Sequence, residues 1–67
     1  MGFREWLSSE LVNDGVIDTD VEIDEITKQM LLEDTELGVD DIEVYEDQYR
    51  EYCKGMGYDP VIDLPEM

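Results

Sequence analysis

The chain has no histidine, one cysteine and only four basic residues, and each scarcity removes a class of function. Without an imidazole, no serine or cysteine has the general base that a catalytic triad requires. Cys53 stands alone, so it forms no internal disulfide and indicates a reducing, cytoplasmic setting. We therefore expect a protein that is not an enzyme and whose fold is not held by disulfides.

Long apolar runs are also missing. No stretch of about 18 apolar residues is present, which predicts that no helix spans a membrane. The few Lys and Arg residues form no basic patch, and direct binding to anionic membranes or to nucleic acid requires one. The sequence thus predicts neither a membrane nor a nucleic acid as a direct partner.

Acidic residues, in contrast, are abundant. Twenty Asp and Glu residues against four Lys and Arg residues give a formal net charge of −16 in 67 residues. Many chains of this charge stay disordered, because self-repulsion adds to weak burial. Hydrophobic residues nevertheless make up 42% of the chain, in patterns that favour a core. We therefore predict a single small acidic domain, residues 1–67, with a nearly all-negative surface.

The spacing of apolar residues predicts an all-α fold, a small three-helix domain. In the first segment, large apolar residues recur at helical spacing: Phe3, Trp6, Leu7 and Leu11. Gly15 follows where a helix commonly stops, so we predict a first helix over residues 3–13.

The third segment carries the clearest helix signal. Asp40 and Glu43 have the spacing of a capping box, with Val39 and Val44 as a hydrophobic staple. Gly55 is a natural stop, so we predict a helix over residues 40–54. Its apolar arc, which we expect to face the core, consists of Ile42, Tyr45, Tyr49, Tyr52, Cys53 and Met56. Tyr58, beyond this helix, is expected to be exposed.

The middle of the chain allows two interpretations. From Thr19 to Asp24 apolar and acidic residues alternate, which is typical of a strand. Thr19 and Glu22 also have capping-box spacing, and no breaker follows as far as Leu32, so we favour a helix over about residues 20–34. Its core-facing residues would be Ile23, Ile26 and Met30. Short extended segments are predicted near 16–18 and, because two prolines interrupt the tail, near 60–64.

Alternating acids in this middle region resemble part of a calcium-binding EF-hand loop: Asp18, Asp20, Glu22 and Asp24. Such a loop needs glycine at its sixth position and a bidentate glutamate at its twelfth. Ile23 and Gln29 occupy those positions here. We therefore predict no specific metal site and no cofactor, beyond weak divalent binding to crowded carboxylates.

The layout of charge is the strongest functional signal. No Lys or Arg lies between Arg4 and Lys28, or between Lys28 and Arg50. Acids three or four residues apart on a helix have Cβ atoms about 5–6 Å apart, a spacing comparable to that of successive phosphates. On the third helix the predicted partner-binding residues are Asp40, Glu43, Glu46, Asp47 and Glu51. A supporting group lies earlier in the chain: Asp18, Asp20, Glu22, Asp24 and Glu25.

Very small, cysteine-poor and intensely acidic chains of this kind resemble, in composition, phage-encoded anti-restriction and anti-CRISPR proteins. The resemblance implies a non-enzymatic inhibitor that mimics DNA charge in the host cytoplasm. Its partner would be a nuclease, CRISPR effector or similar protein, whose basic nucleic-acid groove it would occupy. A homodimer through the tyrosine face is also compatible with the sequence.

Other interpretations of the charge stay open. A run of acids often only keeps a protein soluble, and proteins from high-salt habitats are acidic throughout. An acidic protein-interaction module or transcription regulator would instead bind through apolar residues interleaved with the acids. The candidates for that role are Trp6, Leu7, Leu11, Leu31 and Leu32.

Self-repulsion among the acids predicts that salt stabilises the fold. Raising the ionic strength from about 0.01 M to about 0.15 M shortens the Debye length from about 30 Å to about 8 Å. We expect the Tm to rise by about 5 °C, because about 1 kcal/mol of stabilisation shifts the Tm of a domain this small by about 4–8 °C. Thermal unfolding followed by circular dichroism measures the shift. An unchanged Tm would show that the like charges are too far apart to repel one another appreciably.

Overall fold

Three α-helices make up the regular structure of residues 2–66, the part of the chain that the computed structural model describes. They are α1 (Phe3–Asn13), α2 (Lys28–Asp34) and α3 (Val39–Met56), with a one-turn 3₁₀ helix at Ile23–Glu25. No strand occurs within the described residues. The prediction of an all-α, three-helix fold is confirmed.

Helix α1 has the predicted bounds, and glycine ends it. Asp14 caps the helix, and Gly15 follows with a φ of 76°, which costs glycine nothing. The N–H of Gly15 donates to the Val12 carbonyl, and that of Val16 donates to the Leu11 carbonyl, at 3.1 and 2.8 Å. This pair of bonds is a Schellman motif, and it satisfies carbonyls that the end of the helix would otherwise leave unpaired.

Helix α3 is longer at both ends than the sequence predicts. Gly38 is its N-cap, and the Gly38 N–H donates to the Asp41 carboxylate at 3.0 Å, so the cap lies two residues before Asp40. At the other end the helix passes through Gly55. Gly57, at a φ of 78°, ends it with the same Schellman bonds as α1, from Gly57 to Lys54 and from Tyr58 to Cys53.

The predicted hydrophobic staple of α3 is wrong. Val39 and Val44 are 49% and 53% exposed. With Gly38 as N-cap, the two staple positions fall instead on Leu37, which packs against the core, and on the buried Ile42. The error follows directly from the two-residue shift of the cap.

The predicted helix over residues 20–34 is wrong in its first half. Residues 18–25 hold five acids, and a helix there would place Asp20 and Asp24 four residues apart, where like charges repel. The chain instead makes turns and the 3₁₀ helix, which leaves Ile23 39% exposed although Ile26 is fully buried. The strand alternative also fails, because within the described residues no strand exists to pair with it.

The N-cap of helix α2 is Thr27 and not Thr19. The Thr27 side chain caps it by accepting from the Met30 N–H at 3.0 Å. Leu31 on this short helix is fully buried, and Met30 is half-buried. Two further α2 amides are satisfied by the C-terminal tail: Lys28 donates to the Pro65 carbonyl at 2.7 Å, and Gln29 donates to that of Glu66 at 2.9 Å.

An aromatic cluster joins α1 to α3. The Phe3 ring meets Tyr49 edge-on at 5.1 Å, while Trp6 lies 5.4 Å from Tyr49 and 6.4 Å from Tyr52 between ring centroids. The Tyr45 hydroxyl contacts Asp14 near the other end of α1, so the two helices run antiparallel. Aromatic pairs at these distances contribute about 0.5–1.5 kcal/mol beyond the area they bury.

The core as a whole draws on all three helices and on Ile26, which precedes α2. Its buried members are Phe3, Trp6, Leu7, Leu11, Ile26, Leu31, Ile42, Tyr49 and Cys53. The prediction that Cys53 is a core residue is confirmed, since it is 1% exposed, and so is the exposure of Tyr58 at 54%. Met56 was predicted to face the core but is 55% exposed, because α3 extends past the end of its partner helix.

The cap assignments predict a contrast between two threonines. Replacing Thr27 with Ala removes the acceptor of the Met30 N–H, and loss of such a cap costs about 1 kcal/mol. We expect that decrease in the free energy of unfolding, measured by urea titration. Thr19→Ala, at an exposed turn residue, is the matched control and should change it by less than about 0.5 kcal/mol. Equal losses in the two variants would contradict the assigned start of α2.

Candidate acidic interaction surface

Helix α3 presents four predicted partner-binding acids on its solvent-facing side. We call these four exposed residues the acidic row: Asp40, Glu43, Asp47 and Glu51. At 1.5 Å per residue the row spans about 16 Å of a helix about 27 Å long. Glu46 does not belong to the row. It lies four residues after Ile42 and three before Tyr49, on the buried side, and is half-buried.

The C-terminal half of the acidic row carries compensating charge. Arg50 Nη1 lies 2.8 Å from Asp47 Oδ1, the one ion pair formed within residues 2–66. Lys54 is exposed one turn later. An exposed pair of this kind contributes little to stability, but it neutralises part of the charge that a partner would meet. The uncompensated charge of the row is therefore concentrated near Asp40 and Glu43.

The supporting acids predicted before α2 are all exposed. They are Asp18, Asp20, Glu22, Asp24 and Glu25, and we call them the loop acids. Asp18 and Glu25 line a surface cavity of about 250 Å³ together with Asp34 and Thr35 from the end of α2. The loop acids lie on turns and on the one-turn 3₁₀ helix. An α-helix here would have divided them between two opposite faces, because most of them are two residues apart.

A larger cavity, of about 550 Å³, lies among the end of α1, the α2–α3 connection and the start of α3. Its lining residues are Asp14, Gly15, Val16, Asp34, Thr35, Glu36, Leu37 and Asp41. Half of these residues are acids, and we call this space the acidic cavity. Asp34 and Thr35 line both cavities, and Asp41 adjoins the acidic row. The acidic cavity therefore connects the loop acids to the first turn of α3.

Two carboxylates of the acidic cavity are held in defined directions by hydrogen bonds. The Tyr45 hydroxyl donates to Asp14 Oδ2 at 2.6 Å, and the Gly38 N–H donates to Asp41 Oδ2 at 3.0 Å. An ionised carboxylate has about four acceptor sites, so both can accept further hydrogen bonds. Charges fixed in this way need less ordering when a donor arrives, which favours binding.

The four acids of the cavity were not among the predicted site residues. The available signal was their position in the sequence, because Asp14, Asp34 and Asp41 lie at or next to helix ends. Their proximity depends on the antiparallel packing of α1 and α3, which helix periodicity does not reveal. The structure thus places beside the predicted acids a group of four acids that sequence reasoning missed.

Two tyrosines have raised pKa values: Tyr45, which binds Asp14 of the acidic cavity, and Tyr49, which lies in the core. Burial, the hydrogen bond to Asp14 and neighbouring carboxylates raise the pKa of Tyr45 to about 12. A hydrogen bond with the Cys53 side chain and burial raise the pKa of Tyr49 to about 12. Both hydroxyls therefore keep their protons at neutral pH, and neither is poised to act as a base.

Residues 2–66 contain neither a cluster of metal ligands nor a membrane-spanning helix. No group of three or more acidic or cysteine side chains there is arranged to hold a metal ion. No helix in this part of the chain combines the length and apolar character needed to cross a membrane.

Known proteins supply no site by analogy. Comparison of the chain with protein-family models, with curated proteins and with solved structures gives no match. The role of the acidic surface is therefore inferred from its own residues.

Partial burial of the Tyr45 hydroxyl and its hydrogen bond to Asp14 predict a pH-dependent contribution to stability. Because the folded-state pKa of about 12 exceeds the usual 10, this contribution is complete below pH 10 and is lost as the pH rises towards 12. Tyr45→Phe should cost about 1 kcal/mol at pH 8, and its stability should fall less steeply between pH 10 and 12. Urea titrations across this range measure both effects. Tyr58→Phe, at an exposed site, is the control, and identical pH profiles for Tyr45→Phe and the natural chain would contradict the prediction.

Proposed function

We propose that this protein is a non-enzymatic inhibitor that mimics nucleic-acid charge and occupies the basic groove of a nucleic-acid-binding protein. The observation that carries the proposal is the exposure of nine of the ten predicted contact acids, Glu46 being the exception. For an inhibitor of the phage-encoded type that the composition resembles, the target is a restriction nuclease, CRISPR effector or similar enzyme in the host cytoplasm.

Size supports this proposal. The described residues measure 33 × 23 × 20 Å, and the longest dimension is close to one turn of duplex DNA, about 34–36 Å. The acidic row adds exposed carboxylates at steps of three and four residues. A groove that holds about one helical turn of DNA would therefore accommodate a body of this length.

The distribution of charge favours one end of the protein as the main contact. Arg50 and Lys54 lie towards the C-terminal end of α3, whereas Asp40, Asp41 and Glu43 form its start beside the acidic cavity. Guanidinium groups of a partner bind carboxylates in a bidentate manner, and fixed carboxylates favour such contacts. The proposed contact therefore centres on the acidic cavity and the first turns of α3.

The proposed mechanism is occupancy without chemistry. Basic grooves bind DNA with strong salt dependence, because each neutralised phosphate releases counterions. An acidic coat of net charge −16 gathers counterions in the same way. Release of these ions on binding would drive association and make it weaken steeply with salt.

Burial argues against the alternative of a module that binds through apolar residues. Trp6, Leu7, Leu11 and Leu31 are at most 8% exposed, and Leu32 alone of that group is accessible, at 39%. Removing the four buried side chains from the core would unfold the helices that carry them. The tyrosine face suggested for a homodimer is also engaged, since Tyr49 and Tyr52 pack on Trp6.

The first experiment is a tagged pull-down of the full chain from a bacterial lysate, eluted with salt and separately with duplex DNA. We expect a DNA- or RNA-handling protein that is released by both treatments. A partner that resists salt and ignores duplex DNA would overturn the proposal.

A matched pair of variants then tests the acidic row. Neutralising the uncompensated end of the row as Asp40→Asn and Glu43→Gln should weaken binding at least about tenfold and reduce the salt slope by about two units. The control neutralises two exposed acids outside the row, the loop acids, the acidic cavity and the tail, Glu5 and Glu33, and so changes the net charge equally. The affinity of each variant for the recovered protein is measured by titration at salt concentrations of about 0.05–0.2 M. Equal losses would show that net charge alone drives binding, which contradicts a specific contact at the row.

A further inference from the structure

Helix α2 depends on a distant segment for its start. It has seven residues, and isolated helices shorter than about 12–15 residues are marginal in water. Its first two N–H groups, from Lys28 and Gln29, donate to the carbonyls of Pro65 and Glu66 in the C-terminal tail. Thr27 satisfies the next donor, so the tail supplies the part of the cap that the local sequence lacks.

The tail is attached by alternate residues. Ile62 and Leu64 pack against the core and are half-buried, whereas Val61 is 63% exposed and Asp63 is exposed. Proline at positions 60 and 65 restricts the free tail, which lowers the entropy lost when it docks. Two backbone hydrogen bonds and two side chains thus anchor a segment without regular secondary structure.

Repulsion between like charges weakens the attachment of the tail. Asp59, Asp63 and Glu66 place three carboxylates on a segment that lies against an already acidic body. Repulsion of this kind costs stability, and regions with few buried contacts open at lower free energy than the core. The tail has both properties, and the first turn of α2, which carries no acid, has the second.

We propose that residues 59–66 form a detachable strap whose docking holds α2 in place. Undocking frees the first turn of α2 while the aromatic packing of α1 on α3 persists, so this opening is distinct from global unfolding. Because α2 ends at Asp34, which lines both the acidic cavity and its neighbour, strap docking also sets the shape of the acidic surface. This inference does not rest on the proposed function.

Hydrogen exchange on the full chain tests the strap through a matched pair of substitutions. Leu64→Ala removes an anchor, and Val61→Ala removes a similar side chain that points to solvent. We expect Leu64→Ala to speed exchange of the Lys28 and Gln29 amides about tenfold, with the α3 amides of Tyr49 and Cys53 unchanged. Val61→Ala should leave the exchange rates of all four amides unchanged. Equal acceleration in α2 and α3, or no acceleration in α2, would overturn the strap.

A second pair of variants tests the backbone link without touching the core. Lys28→Pro removes the N–H that donates to Pro65, and proline is tolerated at the first position of a helix. Lys28→Gln removes only the charge and is the control. NMR order parameters of residues 62–66 should fall towards about 0.6 in Lys28→Pro and stay near about 0.85 in the control. Equal order in the two variants would overturn the proposed link.

Discussion

The packing of α1 against α3 through aromatic rings is the interaction on which the rest of the structure depends. Phe3, Trp6 and Tyr49 occupy the centre of this contact, and Cys53 fills the space beside them. The helices run antiparallel, which places the end of α1 beside the start of α3. Without this contact the remaining apolar residues would have no apolar surface to pack against. The acids at the end of α1 and the start of α3 would not line a common cavity.

Charge sets the opposing constraint. A net charge of −16 on 67 residues favours expansion of the chain. The fold limits this repulsion by keeping most of its acids exposed, on turns, at helix ends and on the outer side of α3. No charged side chain of the described residues is buried. The five acids of residues 18–25 show the same constraint locally, because they replace a helix by turns. The acidic surface and the irregular middle of the chain thus have one physical cause.

Helix α2 shows how a segment too short to be stable alone is completed by its surroundings. Leu31 anchors it in the core, Thr27 caps it, and backbone carbonyls of the tail satisfy its first two amides. Each of these supports is modest, so we expect α2 and the tail to form a weakly held part of the described chain. That part also borders the acidic cavity, which links its stability to the shape of the surface.

The sequence by itself determined the helical class, the bounds of α1, the core role of Cys53 and the exposure of nearly all the acids. These features follow from local periodicity, glycine chemistry and charge, which need no knowledge of distant contacts. The start of α2, the separation of Glu46 from the acidic row and the assembly of the acidic cavity were decided by tertiary structure. Asp14 and Asp41 line one cavity only because α1 and α3 run antiparallel, and α2 starts where carbonyls from the tail reach its amides. Sequence periodicity reports local structure, so it does not reveal contacts between segments that are distant in the chain.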